Sequence, residues 1–217
     1  GLKPALISTQ VVQRDRHAEL MSFLALIACT LEKVAKEIRN LQRTEIAEVF
    51  EPFTSKQVGS STMPHKRNPH KCERICGLAR IMRSNVLPAL ETVALEHERD
   101  LTNSSVERVI LPESFILVDY MLRQMKEILS GLEFNQANIK KNLELTKGLI
   151  MTERLMMELV KKGIGRQEAH ELLRKASLKV LKENRNLKEV LSENEIIRNN
   201  FTEKELDWYI DPKNYLG

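Results

Sequence analysis

The sequence has 217 residues, of which 42% are hydrophobic and 29% are charged, enough apolar material for one or two folded domains with a sizeable core. Basic side chains outnumber acidic ones by 34 to 30, a surplus too small to indicate a nucleic-acid-binding protein, although its sign suits an anionic ligand. No apolar run approaches the ~20 residues that span a bilayer, and the first residues lack a secretory pattern, so we expect a cytoplasmic protein without membrane contact.

The first residues, Gly1-Leu2-Lys3, contain no Met and lead almost at once into a helical pattern, so we expect further residues upstream. From about Gln10 to Arg43, apolar side chains recur at three- and four-residue steps without an internal Gly or Pro, which predicts one long helix. A single small domain cannot bury the whole apolar stripe of such a helix, so we expect an oligomer.

A long non-helical stretch follows. Between Glu45 and Asn68 the helical period disappears, and Pro, Gly and Ser accumulate over more residues than helix connections usually have. Loops of this length usually carry function. Asn68 and Pro69 then predict a new helix, with Asn68 at the N-cap and Pro69 as the first helical residue, and Pro88 predicts its kink or end.

The remaining chain also has helical patterns and no strand pattern. Tracts from about Ala89 to Arg99 and from about Val106 to Leu132 continue the long helices, which suggests a bundle. After Gly131, Gly and Asn residues separate shorter helices. We therefore predict an all-α fold with a helical bundle domain at residues 1–131 and a smaller helical C-terminal domain at residues 132–217.

Three cysteines, Cys29, Cys72 and Cys76, are an odd number, and the last two share one face of a helix. We predict that all three are reduced thiols in the core. A zinc cluster of Cys72 and Cys76 with His65 and His70 is disfavoured, because the spacing fits no standard zinc pattern.

The segment from Gly59 to Pro69 reads GSSTMPHKRNP. The free N–H groups and the dipole at the start of the following helix favour negative charge, while Lys66 adds a positive charge and Asn68 a donor. The segment therefore predicts a site for a carboxylate, although its composition alone would also fit a solvated basic loop.

The same segment resembles the signature of the fumarase/aspartase superfamily, Gly-Ser-Ser-x-Met-Pro-x-Lys-x-Asn-Pro, at every fixed position. Members are tetramers with a central bundle of long helices, and they release fumarate by cleaving C–N or C–O bonds beta to a carboxylate, without a metal or other cofactor. The resemblance implies that residues 1–131 are the second half of that bundle, that no cofactor is needed, and that the partner chains form a homotetramer with shared active sites.

Two other segments narrow the resemblance. Residues 8–16 (STQVVQRDR) and 97–108 (HERDLTNSSVER) resemble the adenylosuccinate lyase family rather than argininosuccinate lyase, aspartase or fumarase. This implies a lyase of purine nucleotide biosynthesis that takes fumarate from adenylosuccinate to give AMP, and from the succinylated imidazole-carboxamide ribotide SAICAR to give AICAR. Its partner would be a small nucleotide.

The resemblance also implies roles for individual residues. Ser61 would be the general base, Lys66 would stabilise its alkoxide and, with Asn68, the dianionic intermediate. Glu73 would orient the lysine and a histidine, although the helix dipole alone also favours Glu there. The implied substrate-binding residues are Gln10, Ser60, Met63, Asn68, Arg99, Ser104 and Arg108.

The general acid of the family is a histidine nearer the amino terminus, and none of the five histidines here matches it, so we expect this chain alone to be inactive. Three alternatives stay open. The first is another superfamily enzyme, an argininosuccinate lyase or a carboxymuconate cycloisomerase; the second is a non-catalytic, oligomerising helical bundle. The third, a nucleic-acid-binding module reading through Lys66, Arg67, Lys71 and Arg74, predicts steeply salt-dependent binding.

Overall fold

The computed structural model describes residues 3–53 and 67–216. Contacts divide the chain into two compact units, Gly1–Asn135 and Gln136–Gly217, and each unit has its own hydrophobic core. The described residues are overwhelmingly helical, which confirms the predicted all-α class. None of the described helices is both long enough and apolar enough to cross a membrane.

The first unit is built on two long helices and one of intermediate length. Its elements are α1 (Asp15–Leu41), β1 (Val49–Phe50), α2 (His70–Ser84), α3 (Val86–Glu91), α4 (Thr102–Ser130) and β2 (Glu133–Phe134).

Helix α1 begins at Asp15, so the predicted start at Gln10 is wrong. The hydroxyl of Thr9 accepts a hydrogen bond from the N–H of Val11 and donates one to its carbonyl. Such local bonds compete with helix formation. Asp15 in the first turn instead suits the positive end of the helix dipole.

Helix α2 ends at Ser84, as Pro88 predicts. Proline has no N–H for the Ser84 carbonyl, and its ring clashes with that group, so the chain restarts as the short α3. The predicted helical tract to Arg99 is wrong beyond Glu91. There the Asp100 carboxylate accepts hydrogen bonds from the backbone N–H groups of Glu96 and Thr102, which holds a turn directly before α4.

The core of the first unit lies between α1, α2 and α4. Lys71 at the start of α2 pairs with Glu127 near the end of α4, while Asn85, after the end of α2, donates to Ser114 Oγ at 3.1 Å. Helices α2 and α4 therefore run antiparallel. The largest side chains in this core that are fully buried are Met21, Ile75, Met82, Met121 and Ile128.

A two-residue strand pair joins the chain after α1 to the chain after α4, although the sequence shows no strand pattern. Val49 pairs with Phe134 and Phe50 with Glu133, antiparallel. Two residues are too few for an alternating pattern to be visible. Next to this pair, a Cβ on Gly131 would come within 2.8 Å of the Pro52 Cβ, so the chain packs closely here.

The second unit consists of short helices around its own core. Asn186 and Asn194, which the sequence marks as helix punctuation, accept N-cap hydrogen bonds at α8 and α9. The helices are α5 (Gln136–Glu144), α6 (Thr152–Lys161), α7 (Arg166–Glu183), α8 (Leu187–Ser192), α9 (Glu195–Asn200) and α10 (Glu203–Ile210), with 3-10 turns at Leu149–Met151 and Pro212–Asn214.

Candidate active site

The predicted site residues Ser60, Ser61, Met63 and Lys66 lie outside the described residues. The other predicted site residues form two groups in the first unit. Asn68 and Glu73 lie at the start of α2. The remaining group consists of Gln10, Arg99, Ser104 and Arg108, where α1 and α4 begin.

Asn68 and Glu73 line one cavity of about 990 Å³ near the end of α1. Glu73 is exposed in the first turn of α2. Hydrogen bonding to Cys76 raises the pKa of Arg39 in this cavity, and the Glu73 carboxylate adds to the shift. Basic residues outnumber acidic ones in the lining of this cavity: Lys36, Arg39, Arg43 and Arg67 against Glu45 and Glu73.

The N-terminus of α2 is occupied by a carboxylate of the chain itself. Glu51 is 2% exposed. It accepts hydrogen bonds from the N–H of Lys71 at 3.3 Å and from that of Cys72 at 3.1 Å, and its Oε1 lies 3.3 Å from Nδ1 of His70. The backbone donors that were expected to hold a bound carboxylate are thus used by Glu51.

This arrangement also corrects the predicted helix start. Pro69 is the cap residue of α2, no side-chain cap bond is present there, and the helix begins at His70. Asn68 is therefore not the N-cap. The capping role falls to Glu51, which is distant in sequence and so gives no local capping pattern.

The three cysteines are free thiols, but only two of them are buried. Cys72 and Cys76 are free and buried on α2 as predicted, whereas Cys29 is only partly buried. Burial raises the pKa of the Cys72 thiol to about 12, and the neighbouring Glu51 carboxylate adds to this. Cys72 is therefore a neutral thiol and a poor nucleophile.

The second group of predicted residues comes together around a cavity of about 450 Å³. Nη1 of Arg99 donates a hydrogen bond to Oε1 of Gln10 at 3.2 Å. Ser104 and Arg108, one turn apart on α4, line the cavity together with Arg99. Guanidinium groups and a hydroxyl in this arrangement suit a phosphate or carboxylate, which arginine can bind through two parallel hydrogen bonds.

Sequence reasoning missed three residues at this cavity. Arg14, Asn103 and Glu107 also line it. Glu107 lies 3.0 Å from Nε of Arg14 and 3.0 Å from Nδ1 of His17, and it accepts a hydrogen bond from Nδ2 of Asn103 at 3.2 Å. Glu107 therefore fixes the start of α1 against the start of α4.

Asn103 is 3% exposed, and its Oδ1 has no hydrogen-bond partner within the described part of the chain. A buried amide oxygen without a donor is costly. The sequence could have indicated Asn103 through its spacing, because residues four apart on a helix are neighbours and Asn103 lies four residues before Glu107.

The two groups lie at opposite ends of α1. A helix of 27 residues is about 40 Å long. Arg14 directly precedes α1, whereas Lys36 and Arg39 lie in its last turns. A single copy of this chain therefore does not bring the two groups into one site.

Comparison with known proteins identifies the family. Residues 148–217 match the family model described as "Adenylosuccinate lyase C-terminus", and residues 2–83 match the one described as "Lyase". The adenylosuccinate lyase of Pyrococcus abyssi is 63% identical over 217 residues, which cover 100% of this chain and 48% of that protein. This chain belongs to the adenylosuccinate lyase family.

Other relatives agree with this assignment. The adenylosuccinate lyase of Methanocaldococcus jannaschii is 51% identical over 218 residues, covering 100% of this chain and 47% of that protein. The chain thus spans about half the length of the curated relatives it matches. The resemblance seen in the signature and in the two flanking segments is confirmed at the level of the adenylosuccinate lyase family.

Solved structures of the wider superfamily share the fold. A 3-carboxy-cis,cis-muconate lactonizing enzyme from Pseudomonas putida matches with a TM-score of 0.84 and 38% identity, over 94% of this chain and 46% of that one. A fumarate lyase from Mesorhizobium sp. BNC1 matches with a TM-score of 0.80 and 32% identity, over 94% and 44%. The adenylosuccinate lyase family chain therefore has the helical fold of this superfamily.

Proposed function

We propose that the full-length protein eliminates fumarate from adenylosuccinate to give AMP, and from SAICAR to give AICAR, in the cytoplasm. The observation that carries the proposal is the cavity at the start of α4, where Gln10 bonds Arg99 and where Arg99, Ser104 and Arg108 form part of the lining. The first of these residues comes from one of the two segments that resemble adenylosuccinate lyase, and the other three come from the second. The relatives of that name at 63% and 51% identity support the same reaction.

We assign substrate binding to this cavity. The substrate carries a phosphate and carboxylates, and Arg99, Arg108 and Ser104 provide charge and donors for them. The pairing of Arg14 with Glu107 leaves Arg99 and Arg108 as the cations that engage the ligand. Gln10 orients Arg99 through its side-chain oxygen.

The chemical step begins with removal of a proton from the succinyl carbon next to a carboxylate. We assign this to Ser61, whose alkoxide must be stabilised by a nearby cation because serine is a weak base at its ordinary pKa. Lys66 is that cation. Proton removal leaves a carbanion whose charge spreads into the carboxylate, and Lys66 with Asn68 stabilises this dianion.

Glu73 is assigned to orienting Lys66 and a histidine. Its carboxylate lies in a cavity lined by four basic residues and one other acidic residue, Glu45, so it offsets part of their positive charge. Because Glu51 already fills the N-terminus of α2, the dianion depends on side chains of the signature segment rather than on these backbone donors.

The leaving nitrogen takes a proton from a histidine that we place outside this chain. Among the histidines here, His17 contacts Glu107 and His70 contacts Glu51, so both have structural partners. The separation of the two residue groups along α1 supports an active site built from several chains, as in a homotetramer. No metal or other cofactor takes part in this scheme.

The test follows the full-length protein by absorbance with three separate substrates: adenylosuccinate and argininosuccinate, either of which would release fumarate, and 3-carboxymuconate, which would be consumed by lactonisation without fumarate release. We expect release from adenylosuccinate alone and its loss in Ser61→Ala. The third substrate is included because the P. putida lactonizing enzyme shares this fold at 38% identity. Turnover of that substrate or of argininosuccinate instead would replace the proposed function, and full activity in Ser61→Ala would remove Ser61 as the base.

A further inference from the structure

Gln42, the residue directly after α1, contacts both ends of the segment that carries the signature. It is 8% exposed. Its side-chain Oε1 accepts a hydrogen bond from the backbone N–H of Glu51 at 2.9 Å, and its Nε2 donates one to the backbone carbonyl of Arg67 at 3.1 Å. Glu51 comes before the signature and Arg67 lies within its last residues, so one amide group bridges the two ends.

The chemistry of this bridge is specific to an amide. The two partners are a backbone donor and a backbone acceptor, and only an amide side chain presents a carbonyl and an NH₂ group on one rigid plane. Methionine at position 42 would have a similar length but would leave the buried N–H of Glu51 and the carbonyl of Arg67 without their partner.

Other contacts act at the same two ends. The Arg67 guanidinium lies 5.0 Å from the centre of the Phe53 ring, and the Glu51 carboxylate is bonded to the first N–H groups of α2. The chain is thus anchored on both sides of residues 54–66. Gln42 adds a further link, because it bonds the backbone of Glu51 before this segment and the backbone of Arg67 after it.

We propose that Gln42 is a positioning residue for the elimination reaction, acting through the ends of the signature segment. The inference rests on the proposed function. Lys66 immediately precedes Arg67 in sequence, so the bond from Gln42 to the Arg67 carbonyl fixes the backbone one residue from the proposed catalytic lysine. A displacement of about 1 Å in a catalytic group can slow a reaction by about 10²-fold.

The test uses Gln42→Met in the full-length protein, with Asn85→Leu as the matched control. Asn85 is also 8% exposed and also makes two side-chain hydrogen bonds, to Glu113 and Ser114, but it lies at the other end of α2. Each variant loses one buried amide that makes two hydrogen bonds. Only the first touches the ends of the signature segment.

We expect kcat for adenylosuccinate to fall by about 10²-fold in Gln42→Met, with a much smaller change in the Kd of AMP, because Gln42 contacts none of Arg99, Ser104 and Arg108, which line the binding cavity. Asn85→Leu should lower the Tm by a similar amount and keep kcat within about threefold of the wild type. A kcat near the wild-type value in Gln42→Met, or an equal loss in both variants, would overturn the proposal.

A second variant and a second measurement complete the test. Gln42→Asn retains the amide but is too short to reach both partners, so it should show the same kcat loss if Gln42→Met does not fold. Hydrogen exchange at the Glu51 amide is measured without substrate and should quicken in the Gln42 variants only. Unchanged exchange in the variants overturns the bridge itself. Faster exchange in the variants, together with no fumarate release by the wild-type protein, supports the bridge and rejects the proposed function.

Discussion

The carboxylate of Glu51 accepts a hydrogen bond from the backbone N–H of Cys72 at 3.1 Å and so closes the N-terminus of α2. The carboxylate is almost completely buried, where a charge is tolerated only with several partners. Its partners here are two backbone N–H groups and the His70 ring. The positive end of α2 is therefore neutralised inside the chain.

Replacing Glu51 with Ala should lower the free energy of unfolding by about 2 kcal/mol, the usual value of hydrogen bonds to a charged group. The N–H groups of Lys71 and Cys72 would lose their acceptor. Thermal denaturation of the variant measures this. The control is Glu133→Ala, because that side chain is about half exposed and pairs with Arg67 at 3.8 Å, where a loss below ~1 kcal/mol is expected. Equal losses in the two variants would contradict the capping role.

Arg108→Ala should weaken the binding of AMP to the full-length protein by about 10-fold to 100-fold, corresponding to ~1.5–3 kcal/mol for hydrogen bonds to a charged group. The reason is that Arg108 lines the anion cavity. Isothermal titration calorimetry at two salt concentrations measures the effect, which should be larger at low salt.

Arg123→Ala is the control for this change. Arg123 lies on the same helix, is mostly exposed and pairs with Asp119 at 2.8 Å. It should leave AMP affinity unaltered. If both variants lose affinity to the same degree, the effect is one of net charge and the cavity is not the nucleotide site.

Local rules recovered much of the fold from the sequence. The end of α2 before Pro88 follows from proline chemistry, and the N-caps at Asn186 and Asn194 follow from side-chain hydrogen bonding over two or three residues. Each of these features depends on neighbours in sequence. That is why single-sequence reasoning identifies them.

Features that depend on distant residues were missed. The start of α2 depends on Glu51, which lies about 20 residues before the N–H groups that it accepts from. The contact of Arg99 with Gln10 joins residues far apart in the chain. Only the family resemblance indicated Gln10 and Arg99 together, because no periodic pattern relates a residue before α1 to a residue before α4.

Gly131→Ala should destabilise the first unit by about 1–3 kcal/mol, the range for overpacking a tight contact. An added Cβ would lie 2.8 Å from the Pro52 Cβ, so the strand pair beside it must shift. The comparison is Gly77→Ala inside α2, where nothing lies within 4 Å of the added Cβ and helix propensity predicts a gain of about 0.5–1 kcal/mol.

Opposite shifts in Tm for these two alanine variants are the expected result. A Tm for Gly131→Ala at or above the wild-type value would show that the chain before the signature is not held tightly against the end of α4. The pair therefore tests the same anchor region as Gln42 from its other side.

Glu205→Gln should lower the Tm at pH 7 by an amount that shrinks as the pH falls. Hydrogen bonding from the Thr202 backbone N–H, with further contributions from Lys162 and the Thr202 hydroxyl, lowers the pKa of Glu205 to about 2 from its ordinary value of 4.5. A carboxyl with a pKa lowered by folding stabilises the folded state fully above its ordinary pKa, and this contribution disappears as the pH falls through the folded value. The difference in Tm between wild type and variant should therefore decrease between pH 4.5 and about 2.

The capping box of α10 is the physical source of this effect, since Thr202 and Glu205 bond each other's backbone N–H groups. Tm values at pH 7, 4 and 3 for the wild type, Glu205→Gln and Glu203→Gln give the comparison. Glu203 lies in the same first turn, is strongly exposed and contacts Lys188 at 3.7 Å, so its variant changes the net charge equally without removing the cap. A Tm deficit in Glu205→Gln that stays constant with pH would mean that the carboxylate charge contributes nothing and that the loss comes from packing alone.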